Sequence, residues 1–235
     1  MHINTKKYSL KSYGNWLIQL REKGTLSFSP HNRYLFEAAE LKGLLYTRPE
    51  LIKEIPDIFE NPSLPLVMDV GCYMGDTVVE LAKYNKGINV LGLDLKYKRV
   101  VKSCRKIIKE KLSNAKIAIC DVQDVVPLLP EGWLDGMFIF FPDPWLKGRH
   151  EKYRYLNERF LKEVASKLSD RGFIWLKTDH KKYFDELKAI AHRCRFSIID
   201  PLPGNIEPRE YKTIFEDIFK KQGKPIYQLR IAAKI

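Results

Sequence analysis

Cysteine is scarce in this chain and never closely paired. Cys72, Cys104, Cys120 and Cys194 are the only four in 235 residues, and no Cys-x-x-Cys step occurs. That spacing argues against a disulfide framework and against a zinc site, so no metal is expected. Long apolar runs are missing too, since no stretch approaches the roughly 18–20 apolar residues of a membrane-spanning helix. No positively flanked apolar segment opens the chain, and a reducing cytoplasm is the expected setting. Internal repeats and low-complexity tracts are absent. Acidic residues are the minority sign, 29 against 41 Lys and Arg, leaving a net charge of +12. The excess points to an anionic partner, nucleic acid first and not a membrane, although a generally basic solvated surface has the same composition.

A hydrophobic content of 45% over this length is enough for a substantial core. Residues 1–65 read as a basic N-terminal appended region, rich in charge and aromatics, with a short helical pattern from Arg48 to Phe59. Its boundary falls at Pro62-Ser63-Leu64-Pro65. Residues 66–235 then alternate strand-like apolar runs with amphipathic helices. The strands are expected at Leu66 to Val70, Val90 to Leu93, Lys116 to Ile119, Met137 to Phe141, Phe173 to Leu176, Phe196 to Ile199 and Pro225 to Ala233. Helices are expected at Lys96 to Leu112, Tyr155 to Leu168, Lys181 to Arg193 and Ile214 to Lys221. In the first of these, Val100, Val101, Cys104, Ile107, Ile108 and Leu112 mark one apolar side. The alternation predicts an α/β fold with about seven strands in a mostly parallel sheet and helices on both faces.

Ligands of open α/β sheets sit at the carboxyl ends of strands. The segment Asp69-Val70-Gly71-Cys72-Tyr73-Met74-Gly75-Asp76 leaves the first apolar strand through two glycines and enters a helix. Glycine there lets a ligand approach the backbone, but a plain tight turn explains the pair as well. The Gly-x-Gly-x-x-Gly of a dinucleotide site is lacking, which removes a dehydrogenase reading. Asp94 closes the second strand, where a carboxylate suits ribose hydroxyls, and Asp121 with Val122 ends the third, where a side chain meets an adenine edge. Each Asp alone also suits a helix N-cap. As a series they favour a nucleoside ligand.

This series resembles the Rossmann-like class I S-adenosylmethionine methyltransferases, with Asp69 at the acidic position that engages the methionine end of the cofactor. The resemblance implies S-adenosylmethionine as cofactor and an antiparallel last strand. Tyr73 stands where the usual loop carries glycine.

The fourth strand runs into Phe141-Pro142-Asp143-Pro144-Trp145, where two prolines stiffen the backbone around one carboxylate. Lys147, Arg149, His150, Lys152 and Arg154 follow, and their cations suit phosphates. With Leu176-Lys177-Thr178-Asp179 and Thr213-Ile214-Phe215-Glu216, this order resembles the bacterial tRNA (guanine-N7)-methyltransferases over residues 66–235. The resemblance implies a cofactor site lined by Asp69, Gly71, Gly75, Asp94, Asp121, Val122 and Asp143, with Asp143 catalytic. It implies a substrate site of Lys147, Asp179, Thr213, Ile214, Phe215 and Glu216, and RNA contacts at Arg149, His150, Lys152 and Arg154. Its partner is tRNA, and the target is a guanine of the variable loop. Leu146 and Gly148 interrupt a stretch that is commonly Pro and Lys.

Guanine N7 carries a lone pair at neutral pH, so the reaction needs alignment rather than a base, and His150 needs no role as one. Asp143, Asp179 and Glu216 are expected to accept hydrogen bonds from the guanine N1-H and amino group. The alternative from another class is a nonenzymatic RNA-binding protein on a methyltransferase scaffold. The chain is expected as a monomer or homodimer.

Overall fold

A computed structural model of the chain describes residues 10–23, 33–55, 57–144, 154–200, 202, 206, 210–211 and 213–233. Strands β2 (Leu66–Val70), β3 (Asn89–Asp94), β4 (Ala115–Ile119), β5 (Leu134–Phe140) and β6 (Leu168–Thr178) lie parallel. Strand β8 (Tyr227–Ala233) runs antiparallel between β6 and β7 (Phe196–Ile198). These are the seven strands expected from the apolar runs. An eighth, β1 (Leu45–Thr47), comes from the N-terminal region and pairs parallel with β4, giving the order β1-β4-β3-β2-β5-β6-β8-β7.

Side chains alternate across the strands, so each strand feeds two cores. Val67, Val90, Ile117, Phe138 and Trp175 face helices α1 (Leu10–Lys23), α2 (Arg33–Glu40), α4 (Asp76–Tyr84) and α5 (Tyr97–Lys109). Met68, Leu91, Ala118, Ile139 and Leu176 face α3 (Arg48–Glu54), α6 (Val122–Val125), α7 (Glu158–Lys167) and α8 (Lys181–Arg193). Both faces are covered, which is why the strands read as continuous apolar runs rather than alternating ones.

Helix α5 buries Val100, Val101, Cys104 and Ile107 as its spacing predicts, and full burial of such a side chain contributes about 1.5–3 kcal/mol. Ile108 departs from expectation and is 57% exposed, because Ser103 and Tyr97 share the buried side instead.

Leu17, Leu20, Leu35 and Ala38 of the N-terminal region belong to the same core as β2 to β4. Arg21 ties that region together, donating to the carbonyls of Ala38 (3.1 Å) and Leu45 (2.8 Å) and pairing with Glu50. Glu50 in turn accepts the backbone N–H of Thr47 at 2.7 Å, capping α3. Helix α9 (Ile214–Lys221) precedes β8.

Candidate active site at the carboxyl edge of the sheet

Between β2 and α4 the backbone turns left-handed at Gly71 and Gly75, both with φ +76°. The Gly71 and Cys72 amides donate to the carbonyl of Leu93 (2.9 and 2.8 Å), stitching this loop to β3. Gly75 lies so near α5 that a Cβ would stand 2.7 Å from Ser103 Cβ, whereas a Cβ on Gly71 meets nothing within 4 Å. One glycine therefore serves packing and the other borders open space.

Asp69 sits inside the sheet between Gly92 and Phe138, only 3% exposed. Burial, then the charges of Asp94 and Asp76, push its carboxyl up to about 8. Its Oδ2 has no hydrogen-bond partner. Asp69, Gly71, Tyr73, Thr77, Phe140 and Thr213 to Phe215 line one cleft of about 330 Å³, solvent-open space included. A buried acid with an unmet oxygen is costly unless a cationic or hydrogen-bonding ligand meets it. The α-ammonium of S-adenosylmethionine has that chemistry, so the residues present fit the cofactor.

The other strand-end acids are differently placed. Asp94 is buried and accepts the Lys96 amide (3.0 Å), the Tyr73 amide (3.2 Å) and Arg99 Nη1 (3.3 Å). Burial raises its pKa, against the pull of Arg99. Asp121 caps α6, accepting the Gln123 amide at 2.9 Å, and Val122 is buried in the core.

Tyr73 adopts φ 51°, a left-handed conformation that costs a side-chain-bearing residue about 1–2 kcal/mol. Its ring packs edge-on against Phe215 at 5.0 Å, and the Arg99 guanidinium covers it at 4.8 Å.

On the chemical side, Phe141 is also left-handed (φ 53°) and donates its amide to the Lys177 carbonyl at 2.8 Å. Asp143 follows, exposed between its two prolines. Arg154 reaches back to this turn, donating to the Pro144 carbonyl at 2.7 Å and to Glu186 at 2.6 Å, with its guanidinium over the Tyr183 ring. Its side chain is 15% exposed, a brace for the turn. Trp145, Lys147, Arg149, His150 and Lys152 lie outside the described residues.

Thr213 caps α9 through the Glu216 amide (3.2 Å). Glu216 is 2% exposed, and its two oxygens take Lys177 (2.8 Å) and Lys220 (2.7 Å). Burial opposes its ionisation, but the two lysines outweigh it and hold the carboxyl below its usual value. Lys177 also donates to the Tyr211 carbonyl at 2.7 Å, and burial lowers its own pKa. Asp179 pairs with Lys224 at 2.9 Å. The structure thus brings Asp69, Gly71 and Thr213 to Phe215 onto one cleft, while Glu216 points to its lysines. Sequence reasoning missed Lys177, Arg99, Thr77 and Phe140. Lys177 alone carried a signal, as a cation directly after the apolar run Phe173 to Leu176.

Among the described residues no group of three or more His, Cys, Asp or Glu is placed to hold a metal, and no helix is long and apolar enough to cross a membrane. A family model described as "Putative methyltransferase" matches residues 63–229. A tRNA (guanine-N(7)-)-methyltransferase of Alkaliphilus oremlandii is 34% identical over 184 residues, spanning 77% of this chain and 87% of the relative. A relative of the same name from Dechloromonas aromatica is 32% identical over 178 residues, 75% and 71% of the two chains. Among solved structures, the 16S rRNA methyltransferase KamB superposes with a TM-score of 0.52 at 16% identity, over 72% of this chain and 88% of that one. That last likeness concerns the fold alone. With the acid-and-glycine cleft, the sheet order and these matches in agreement, the chain belongs to the tRNA (guanine-N(7)-)-methyltransferase family.

Proposed function

We propose that this chain transfers the methyl group of S-adenosylmethionine to N7 of a guanine in the tRNA variable loop. The observation that carries the reading is Asp69, a buried carboxyl with an unpartnered oxygen on the cleft that also holds Thr213 to Phe215. The names of the relatives above supply the substrate class. When bound, S-adenosylmethionine supplies an electrophilic methyl on a sulfonium. Asp69 holds the ammonium end, and Asp94, Asp121 and Val122 take the nucleoside end. Gly71 lets the ligand approach the backbone, and Gly75 serves the same loop by letting it pack closely on α5.

Asp143 and Asp179 accept hydrogen bonds from the guanine N1-H and amino group and stabilise the positive charge that reaches the purine. Fixed carboxylates suit that task because charge develops only as the methyl moves. Glu216 serves the substrate indirectly, through its lysine pairs, by fixing Thr213, Ile214 and Phe215 on the cleft. Lys147, Arg149, His150 and Lys152 contact the RNA, and Arg154 holds the turn from which they extend. The work belongs in the cytoplasm, in keeping with four free thiols. It needs one chain for the site, as a monomer or homodimer.

The test is methyl transfer from labelled cofactor to tRNA whose variable-loop guanine is replaced by 7-deazaguanine. Transfer to normal tRNA and none to the substituted RNA is expected. Persistent transfer to that RNA excludes N7 of that base as the acceptor.

A further inference from the structure

We infer that Tyr73 is a positioning residue that couples cofactor binding to the substrate segment of α9. This rests on the function proposed above and concerns a residue foreign to the usual cofactor loop. Its left-handed backbone, with φ 51°, is one that glycine adopts freely and a tyrosine does not, so the ring is kept at a conformational cost.

The ring has a defined place. Its amide donates to Asp94 Oδ2 at 3.2 Å, and its carbonyl accepts Ser103 Oγ at 3.3 Å, so the peptide units on both sides of the residue are held. Arg99 covers the ring at 4.8 Å while donating to the same Asp94 oxygen at 3.3 Å. Phe215 meets the same ring edge-on at 5.0 Å. Phe215 stacks with Phe219 (6.4 Å, 29°), and Lys224 caps Phe219 at 4.6 Å while pairing with Asp179 at 2.9 Å. A continuous chain of cation and aromatic contacts therefore runs from Asp94, on the ribose side, to Asp179, on the base side.

Glycine at position 73 would keep the loop and delete the bridge. A ligand that engages Asp94 must compete with or reorient Arg99, and Arg99 bears on the Tyr73 ring and through it on Phe215. The first turn of α9 is thus set by the state of the cofactor pocket. Such coupling is reciprocal, so bound tRNA tightens the cofactor by the factor with which the cofactor tightens tRNA.

Three proteins test this: the native chain, Tyr73→Gly, which suits the backbone, and Tyr73→Phe, which keeps the ring. In the ligand-free proteins, amide hydrogen exchange over Ile214 to Phe219 is expected to quicken in Tyr73→Gly and to stay at the native rate in Tyr73→Phe. Calorimetry of S-adenosylmethionine with and without tRNA is expected to give a ratio of dissociation constants of roughly five or more in the native chain and in Tyr73→Phe. The ratio should fall to about one in Tyr73→Gly. Unchanged exchange in Tyr73→Gly, or a ratio that survives there, overturns the coupling. A native chain that binds no cofactor overturns the proposed function instead, and the exchange measurement still reports on the bridge.

Discussion

Lys177 at the end of β6 and Glu216 in the first turn of α9 form a 2.8 Å ion pair in which neither side chain is more than 3% exposed. Removing one partner from a buried pair leaves an uncompensated charge and costs about 3–5 kcal/mol. Glu216→Ala is therefore expected to lower unfolding free energy by about that amount in urea. The double variant Lys177→Met, Glu216→Leu should recover much of the loss, since apolar replacement of both partners is close to neutral. Because Glu216 has a depressed pKa, its stabilisation is present above the ordinary carboxylate range and is lost as pH falls through the folded value.

Asp69 has the opposite sign. Its folded pKa of about 8 stands far above the ordinary carboxyl value of 3.8, so its favourable contribution is full below that ordinary value and disappears as pH rises through 8. The ligand-free protein should lose melting temperature across that window, and Asp69→Asn should remove this component. Cofactor affinity should climb with pH up to about 8, because an ammonium needs the ionised acid. Calorimetry in buffers of different ionisation heat should register proton release on binding at pH 7. Asp69→Asn should weaken binding roughly 30-fold or more. Binding at pH 7 without proton release would contradict the role given to Asp69.

Asp143→Ala separates turnover from affinity. The exposed carboxylate acts on charge that develops during transfer, so turnover should fall roughly 100-fold while tRNA affinity stays within about threefold. Single-turnover assays with filter binding provide both numbers, and undiminished turnover would remove Asp143 from the chemistry.

Arg33 donates to the Tyr34 phenol at 3.1 Å, and this hydrogen bond, followed by the charges of Arg33, Lys98 and Lys102, lowers the phenol's pKa. If tRNA phosphates meet this patch, each neutralised contact contributes roughly 0.7–0.9 to the slope of log affinity against log salt. Lys98→Gln with Lys102→Gln should flatten that slope by about 1–2 without altering cofactor binding. An unchanged slope would place the RNA elsewhere.

Most of the sheet was legible because strands buried on both faces leave unbroken apolar runs, and β2, α8 and α9 begin and end where those patterns do. β1 was not, since three residues carry no period and its partner β4 is distant in sequence. Ile108 was misread because spacings of three and four do not say which edge of an apolar stripe stays wet. The cleft acids were visible as types at strand ends, but their partners were not. The cap that Asp121 makes to Gln123 is local and was one of the two readings its residue type allowed, but nothing in the sequence says that Lys177 claims Glu216 or that Arg154 turns back to Pro144, because each of those depends on a neighbour fixed by the fold.

The short strand β1 has a consequence for how the protein stays dispersed. By pairing with β4 it occupies hydrogen-bonding groups that would otherwise form an open apolar edge, the kind of surface that recruits strands from other molecules. The matched family region begins at residue 63, after β1. A chain trimmed to that region would keep the cleft acids and the turn at Asp143, yet expose the backbone of β4 and the socket filled by Leu45. Its predicted failing is self-association.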